Sequence, residues 1–476
     1  MSMAQKTGRG APLSRKVAIM KSVDLTSKSV FKTLFFFSLP LIANNLVQLL
    51  FHAADVAVLA VMTNDAAVAA VGACGPIINI LLSLFSGLTA GANIIVARLV
   101  GAKREQDARR ATGTALTASF VGGIALMILA EVFAEAFLSA INCQPDVLPD
   151  AALYMRIYFL GIPIILLYNT VSALFRAIGD NVRSMTYIML AGVLNFALNI
   201  FFVGVCDLTV SGVALATILS NAVALALVLV SLFKNKDYCK VERKNLRIHK
   251  KELFAIFGIG IPASLGALCF YVSNIFIAAA VNGLSTDAMT ANTISSQFDN
   301  VVYSVGLSVA VSCGAMVGQA MGARQLDRIS QTLRVASLYT CAISLSTGAF
   351  FVLLSTPLLG FLTDSPTVIE IAKEKLIVLC FTYFITSLME VFSSSLRPMG
   401  LSHSVTAVCF VCGLCIRSAW ALFIAPLHNT LGMIYLSYPV SALCAFLAYI
   451  VLFLVQKKRL KKIFAVESSA EAPSLL

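Results

Sequence analysis

The chain has 476 residues, of which 59% are hydrophobic and only 12% charged. Soluble domains carry about 25% charged residues, so this composition excludes a soluble globular protein and indicates an integral membrane protein. The formal net charge of +12 arises from several separate basic clusters, which argues against a nucleic-acid-binding surface.

Twelve apolar runs recur along the chain. A spanning helix needs about 20 apolar residues, and backbone in lipid must satisfy its own hydrogen bonds, so each run is predicted to be a transmembrane helix. The runs cover residues 34–62, 68–98, 113–141, 153–176, 185–205, 211–233, 254–282, 288–320, 331–356, 368–396, 404–426 and 432–456.

Lys and Arg concentrate in the two ends of the chain and in alternate loops, whereas the intervening loops carry none. This positive-inside pattern predicts a multi-pass protein of the cell (inner) membrane with both termini cytoplasmic. A basic linker separates two halves of similar length. The predicted units are a tail at 1–33, a first lobe at 34–233, the linker at 234–252, a second lobe at 253–456 and a tail at 457–476.

The second half repeats landmarks of the first half at an offset of about 221 residues. Leu-Phe-Arg-Ala-Ile-Gly at 174–179 returns as Ser-Leu-Arg-Pro-Met-Gly at 395–400, and Gly101 returns as Gly322. Two homologous six-helix lobes are therefore predicted. Duplicated membrane halves commonly place a substrate site between them, near the bilayer midplane.

A charged side chain at the centre of a spanning helix costs about 2.5–3.5 kcal/mol on insertion scales, and four charged residues lie deep in predicted spans. They are Asp55, Asp299, Glu390 and Arg417. Burial disfavours the charged form of a carboxyl group, so Asp55 is predicted to bind a proton or another cation in an internal cavity. Structural pairing, or reaching the outer headgroups, is the alternative. His52, one turn before Asp55, could hydrogen-bond that carboxylate.

Polar residues of the fifth and sixth spans complete a predicted pocket. Asn195 and Asn199 lie one helical turn apart and so share a face, and the sixth span contributes Thr217. Ordinary hydrogen bonding between helices is the alternative role.

Buried Arg417 is expected to need a carboxylate or carbonyl partner, with Glu390 or Asp299 as the candidates, either as a structural ion pair or as part of a substrate contact. Asp299 could instead face the outer vestibule. Lys375 is placed near an outer helix end, where a long side chain can reach the headgroups.

No motif indicates a metal, a cofactor or a catalytic residue. Cys409, Cys412 and Cys415 lie on one predicted helix, where their sulfurs cannot enclose a cluster. A phosphate-binding loop and an H-E-x-x-H motif are both missing from the sequence. We therefore expect a protein that is not an enzyme.

Several motifs resemble the multidrug and toxic compound extrusion (MATE) family. The segments that carry the resemblance are Pro40…Asp55…Ala-Ala-Val-Gly (69–72), Gly101-Ala102, Arg176…Gly179, Val-Leu-Asn195, Gly212-Val-Ala-Leu-Ala-Thr217, Ser273-Asn274, Gly318-Gln319 and Met389-Glu390…Arg397…Gly400. The resemblance covers residues 34–455. It implies twelve helices around a V-shaped cavity, with Asp55 as the coupling aspartate and Asn195 and Thr217 beside it. Candidate cavity residues are His52, Asn274, Asp299, Glu390 and Arg417.

Two departures from the family pattern bear on the coupling ion. Asn199 stands where many prokaryotic members have a second aspartate, and residues 269–274 lack the glutamate of the sodium-coupled branch. Both departures favour protons, with sodium as the alternative. The predicted protein is a monomeric antiporter that exports organic, cationic compounds. A flippase for lipid-linked oligosaccharides and a membrane enzyme acting on lipids are the alternative functions.

Overall fold

The computed structural model describes residues 25, 29–63, 65–140, 145–234, 238–241, 245–427 and 430–470. Every regular element in these residues is helical. The first lobe contains α1 (Val30–Met62), α2 (Asp65–Gly101), α3 (Glu105–Ala140), α4 (Leu148–Leu160), α5 (Ile162–Ala177), α6 (Asn181–Asn199) and α7 (Val210–Lys234).

The second lobe repeats this pattern with more interruptions. It contains α8 (Lys250–Asn282), α9 (Thr286–Gly322), α10 (Leu326–Leu353), α11 (Ser355–Gly360), α12 (Pro366–Leu396), α13 (Ser402–Val408), α14 (Arg417–Ala419), α15 (Leu431–Tyr435) and α16 (Ser437–Ala470). Three π-helical segments, Ile200–Val205, Cys409–Ile416 and Trp420–Ile424, continue α6, α13 and α14 respectively.

Eleven helical stretches in the described residues are long and apolar enough to cross a membrane, and a bent pair makes twelve. The bent pair is α4 and α5, which meet at an angle of 48°. Gly161 lies at the break, and Pro163 follows in the first turn of α5, where its missing N–H costs no helical hydrogen bond. The prediction of an all-helical, twelve-span protein in two lobes is confirmed.

Helix ends differ from the predicted spans at both ends of the chain. The first helix begins at Val30 rather than at residue 34, and α16 continues to Ala470, beyond the predicted end at 456. Hydropathy marks where a helix leaves the apolar part of a membrane, whereas Lys and Arg are good helix formers. The basic cluster at 457–462 therefore extends the last helix.

Both lobes turn in the same way after their fourth spans, the fourth and the tenth of the chain. Gly179 follows α5 with a φ of 86°, and Gly400 follows α12 with a φ of 93°. Only glycine adopts this left-handed conformation without a steric penalty. The repeat read from the sequence is thus a repeat of backbone geometry.

The lobes approach to backbone contact where α2 crosses α9. A Cβ atom added to Gly101 would lie 1.9 Å from the carbonyl oxygen of Gln319, and one added to Gly322 would lie 1.9 Å from that of Arg98. Because either methyl group would overlap backbone atoms, these two repeat-related glycines permit the crossing.

Hydrogen bonds from two side chains, which we call the inter-lobe clamp, join the lobes beside this crossing, and the Arg98 Nη2 takes part by donating to the carbonyl oxygen of Pro398. The Arg98 Nε donates to the carbonyl oxygen of Pro398 at 2.8 Å, and the Gln319 Nε2 donates to that of Ala177 at 2.7 Å. Gln319 follows Arg98 by 221 residues, and Pro398 follows Ala177 by the same offset. The clamp is therefore pseudo-symmetric, and it lies at the ends of the lobes that carry the basic loops.

Candidate functional site

A close helix crossing positions the buried carboxylate of the first lobe. A Cβ atom added to Gly192 of α6 would overlap the ring of Phe51 of α1, at 1.5 Å from the ring's Cε2. Glycine at 192 therefore lets α1 lie directly on α6. Asp55 follows Phe51 by about one turn, and Asn195 and Asn199 follow Gly192 by about one and two turns.

Asp55, Asn195, Asn199 and Thr217 form one hydrogen-bonded chain, which we call the carboxylate network. The Asn199 Nδ2 donates to Asp55 Oδ1 and, at 3.3 Å, to Asn195 Oδ1. The Asn195 Nδ2 in turn donates to Thr217 Oγ1 at 3.5 Å. The structure thus brings together all four residues that the sequence analysis grouped in one pocket.

The orientation of the Asn199 amide follows from its neighbours. Its NH₂ group lies between two acceptor oxygens, those of Asp55 and Asn195, so an amide with the reverse orientation would place three oxygens together. Its own Oδ1 is buried and has no hydrogen-bond partner among the described residues. The π-helical segment begins at the next residue, Ile200, and such distortions are frequent at functional sites.

Two tyrosines of α4 were missed by the sequence analysis. Tyr154 and Tyr158 lie close enough to Asp55 to respond to its charge, and their ring centroids are 6.0 Å apart. Both tyrosines lie on α4, the first half of the broken fourth span. Their positions four residues apart were visible in the sequence, but nothing there showed that α4 faces Asp55.

The buried cation of the second lobe lies in an aromatic cage, which we call the arginine site. The guanidinium of Arg417, only 2% exposed, lies 4.3 Å from the ring centroid of Tyr438 and 4.8 Å from that of Phe270. It also donates to the hydroxyl oxygens of Ser441, at 3.3 and 3.4 Å, and Ser273, at 3.4 Å. Cation–π contacts and hydroxyl oxygens therefore take the place of the carboxylate or carbonyl partner expected for Arg417.

The expected ion pair between Arg417 and Glu390 or Asp299 is not formed in the described structure. Asp299 instead accepts Lys375, with 3.1 Å between Oδ2 and Nζ. Glu390 lies close enough to Arg397 and Arg417 to be influenced by both charges, but it forms an ion pair with neither in the described structure. The prediction was wrong because it considered only carboxylates and carbonyls, whereas two aromatic faces can stabilise a desolvated guanidinium.

Lys375 is also not at a headgroup-facing position. Its side chain is 1% exposed, and its Nζ donates to Ser296 Oγ at 2.7 Å and to Asn292 Oδ1 at 2.9 Å. Asp299 is buried with it, so neither residue faces an open vestibule.

Asn274 and His52 are the two remaining candidates from the sequence. Asn274 accepts a hydrogen bond from the Tyr438 hydroxyl at 2.9 Å and so adjoins the arginine site. The side chain of His52 falls outside the described part of the chain.

Twelve spans in two repeat-related lobes, with buried polar networks on helices from several spans, define a transporter of the membrane. The MatE family model matches residues 40–201 and 262–418, once in each lobe. The chain therefore belongs to the MatE family, whose members are transporters rather than enzymes.

Known relatives and structures agree with this assignment. The chain is 26% identical over 383 residues to "Probable multidrug resistance protein YoeA" of Bacillus subtilis (strain 168), covering 78% of this chain and 82% of the relative. It is 23% identical over 441 residues to "Multidrug export protein MepA" of Staphylococcus aureus (strain MRSA252), covering 90% and 95%.

Two solved structures share the fold. One is described as the outward-facing conformation of a multidrug resistance MATE family transporter of the MOP superfamily, with a TM-score of 0.86, 21% identity and coverage of 93% of this chain and 99% of that one. The other is a MOP superfamily transporter from Pyrococcus furiosus, with a TM-score of 0.85, 22% identity and coverage of 93% and 98%.

Proposed function

We propose that this protein exports organic, cationic compounds across the cell membrane in exchange for protons, and that Asp55 binds the coupling proton. The observation that carries the proposal is the carboxylate network, in which one buried carboxylate is joined to two amides and a hydroxyl. The names of the relatives, a multidrug resistance protein and a multidrug export protein, support efflux of small molecules.

The chemistry of the network favours protons over sodium. Sodium prefers several oxygen ligands, but Asn199 directs its N–H groups, not its oxygen, towards Asp55. The N–H group of Asn199 stabilises the ionised form of Asp55. When Asp55 binds a proton, the proton takes over this stabilising role. Sodium coupling is the alternative, and it requires the amide to turn.

The direction of transport in our proposal follows from the predicted topology. In our proposal the basic helix ends face the cytoplasm, so the inter-lobe clamp closes the cytoplasmic side and the carboxylate network belongs to a cavity open to the outside. Protons then enter from outside and reach Asp55. A one-for-one exchange of a proton for a monovalent cation moves no net charge, so the pH difference drives it: one pH unit supplies about 1.4 kcal/mol, a tenfold concentration ratio.

A flippase for lipid-linked oligosaccharides is less compatible with the second lobe. Such a substrate carries a pyrophosphate, which needs accessible cations. Arg417 is enclosed between two rings, and Lys375 is already paired with Asp299.

The proposal is tested with purified protein in proteoliposomes. Accumulation of tetraphenylphosphonium, a lipophilic organic cation, is measured under an imposed proton gradient and, separately, under a sodium gradient. We expect accumulation with the proton gradient alone, and its loss in Asp55→Asn.

Glu135→Gln is the matched control, because Glu135 is a carboxylate of the same lobe that is 69% exposed and paired with Arg156. It should transport like the unaltered protein. Transport driven only by sodium would reject proton coupling, and proton-driven transport in Asp55→Asn at the level of Glu135→Gln would reject the role of Asp55.

A further inference from the structure

A small polar cavity of about 30 Å³ lies in the first lobe, away from the carboxylate network. Side chains of α1, α5 and α6 line it, among them Asn44, Asn169, Arg176, Asn181 and Ser184. We call it the guanidinium pocket. It is far too small for an organic substrate, so its polar lining requires another explanation.

Several polar atoms around this pocket have no hydrogen-bond partner in the described residues. They are Asn44 Oδ1, Arg176 Nε, Asn181 Oδ1 and Ser184 Oγ, and each is buried. Native structures rarely leave buried polar groups unsatisfied, and small bound species commonly supply the missing partners. Four such atoms around one cavity therefore indicate an occupant.

The charge of Arg176 is also uncompensated. Within the described part of the chain, no carboxylate lies at ion-pair distance from its guanidinium, and Tyr168 is the ionisable group that influences it. Asp180, four residues further on, is instead paired with Arg183 at 2.7 Å.

The second lobe has a carboxylate at a position where the first lobe has none. Arg397 occupies the repeat position of Arg176, and Glu390 occupies the repeat position of Asn169, since each pair is separated by 221 residues. Glu390 lies close enough to Arg397 for their charges to interact, although the described residues show no ion pair between them and Arg397 Nη1 also has no hydrogen-bond partner there. The first lobe has a neutral amide in that place.

We propose that the guanidinium pocket binds a monoatomic anion, chloride, which places beside Arg176 a negative charge that no described residue of the first lobe provides at ion-pair distance. The guanidinium of Arg176 and the hydroxyl of Ser184 hold the anion. An anion cannot satisfy the two amide oxygens, Asn44 Oδ1 and Asn181 Oδ1, which only accept hydrogen bonds. A water needs about 10–15 Å³ of such space, so the pocket also admits one water, which donates to both. The other end of the Asn181 amide donates to the carbonyl oxygen of Phe37 at 2.6 Å.

The pocket adjoins the inter-lobe clamp. Ala177, which accepts the clamp bond from Gln319, is the residue after Arg176. An anion on Arg176 therefore fixes the end of α5 on which one clamp bond depends.

The first test is the thermal stability of the purified full-length protein as chloride replaces gluconate at constant ionic strength and constant cation. Binding to the folded state raises the melting temperature with the logarithm of anion concentration, here by roughly 2 °C for each tenfold increase. Bromide should act like chloride. A melting temperature that is the same in chloride and gluconate would overturn the proposal.

Two variants at one position separate this site from other anion effects. Asn169→Glu introduces the carboxylate of the second lobe and should abolish the dependence on chloride, whereas Asn169→Gln, which adds no charge, should retain it. Equal chloride dependence in both variants would place the anion elsewhere and reject the pocket. Arg176→Gln, if it folds, should also lose the dependence of the melting temperature on chloride. The two variants at position 169 decide the question without it.

Crystals grown in bromide give a direct reading of the occupant. An anomalous peak beside Arg176 and Ser184 is expected. Ordered density there without an anomalous signal would identify water only and would refute the anion.

Discussion

The carboxylate network and the arginine site occupy related positions in the two lobes, yet their charges are opposite. Tyr438 and Ser441 of the arginine site lie at the repeat positions of Thr217 and Ser220, and Arg417 lies at that of Phe196, one residue after Asn195. One lobe thus places a carboxylate where helices meet, and the other places a cation.

The contrast separates what the duplication kept from what it changed. The glycine turns, the helix crossing and the clamp are shared by both lobes. The buried ionisable groups are not shared. A carboxylate supported by amides can gain and lose a proton, whereas a guanidinium stays charged, so we assign coupling to the first lobe and a fixed structural charge to the second.

The largest effect on stability is expected at the buried pair of the second lobe. Lys375→Met leaves Asp299 buried without its cation, which should cost about 3–5 kcal/mol of folding free energy. Adding Asp299→Asn should recover part of this loss. The measurement is thermal unfolding in detergent.

Lys373→Met is the control for this change, since Lys373 is on the same helix but only half-buried, with a solvent-exposed hydrogen bond to Thr356. If both methionine variants melt at the same temperature, Lys375 does not form a buried ion pair.

A substitution in the arginine site should cost less folding free energy than Lys375→Met, because it leaves no buried carboxylate without its ion-pair partner. Arg417→Gln removes two cation–π contacts and should cost about 2 kcal/mol. The losses of Arg417→Gln and Glu390→Gln should add to within about 0.5 kcal/mol in the double variant. A larger coupling energy would show that Glu390 neutralises Arg417 after all.

The clamp predicts a shift in conformation rather than a loss of folding. Removing a hydrogen bond from a charged donor costs about 1.5–3 kcal/mol and from a neutral one about 0.5–1.5 kcal/mol. Arg98→Ala should therefore open the basic ends of the lobes more often than Gln319→Ala. Distances between spin labels at Arg104 and Gln325, on a background without other reactive cysteines, would measure the opening.

If neither clamp variant changes that distance distribution, the clamp bonds do not hold the lobes together. The opposite order of effects would show that the repeat-related bonds are not ranked by donor charge.

The smallest change concerns Asn199. Asn199→Asp adds a carboxylate that contacts Asp55, and two adjacent carboxylates cannot both ionise freely, so they titrate as a coupled pair. The pH profile of transport should extend to more alkaline values with little change in expression. A profile that matches the unaltered protein would mean that residue 199 does not influence the coupling group.

Sequence reasoning was most successful where a single physical rule applies. Hydropathy located all twelve spans, because lipid requires long apolar helices. The one-turn spacing of Asn195 and Asn199 placed them on one face, and the structure joins both to Asp55.

Sequence reasoning failed where a residue's partners depend on how the helices pack. The π-helical segments beside Asn199 and Arg417 have no signature in apolar sequence. The cage around Arg417 comes from Phe270 on α8 and Tyr438 on α16, which are far apart in the chain. The pairing of Lys375 with Asp299 likewise required knowing that α12 packs on α9.

The central claim, that Asp55 carries the coupling proton, is tested most directly by counting protons. Tetraphenylphosphonium is added to purified protein in weakly buffered detergent solution, and a pH-sensitive dye reports the release. If the cation displaces a proton from Asp55, the unaltered protein should release up to one proton for each cation bound, and Asp55→Asn should bind the cation without proton release. Equal release from the two proteins would contradict the account.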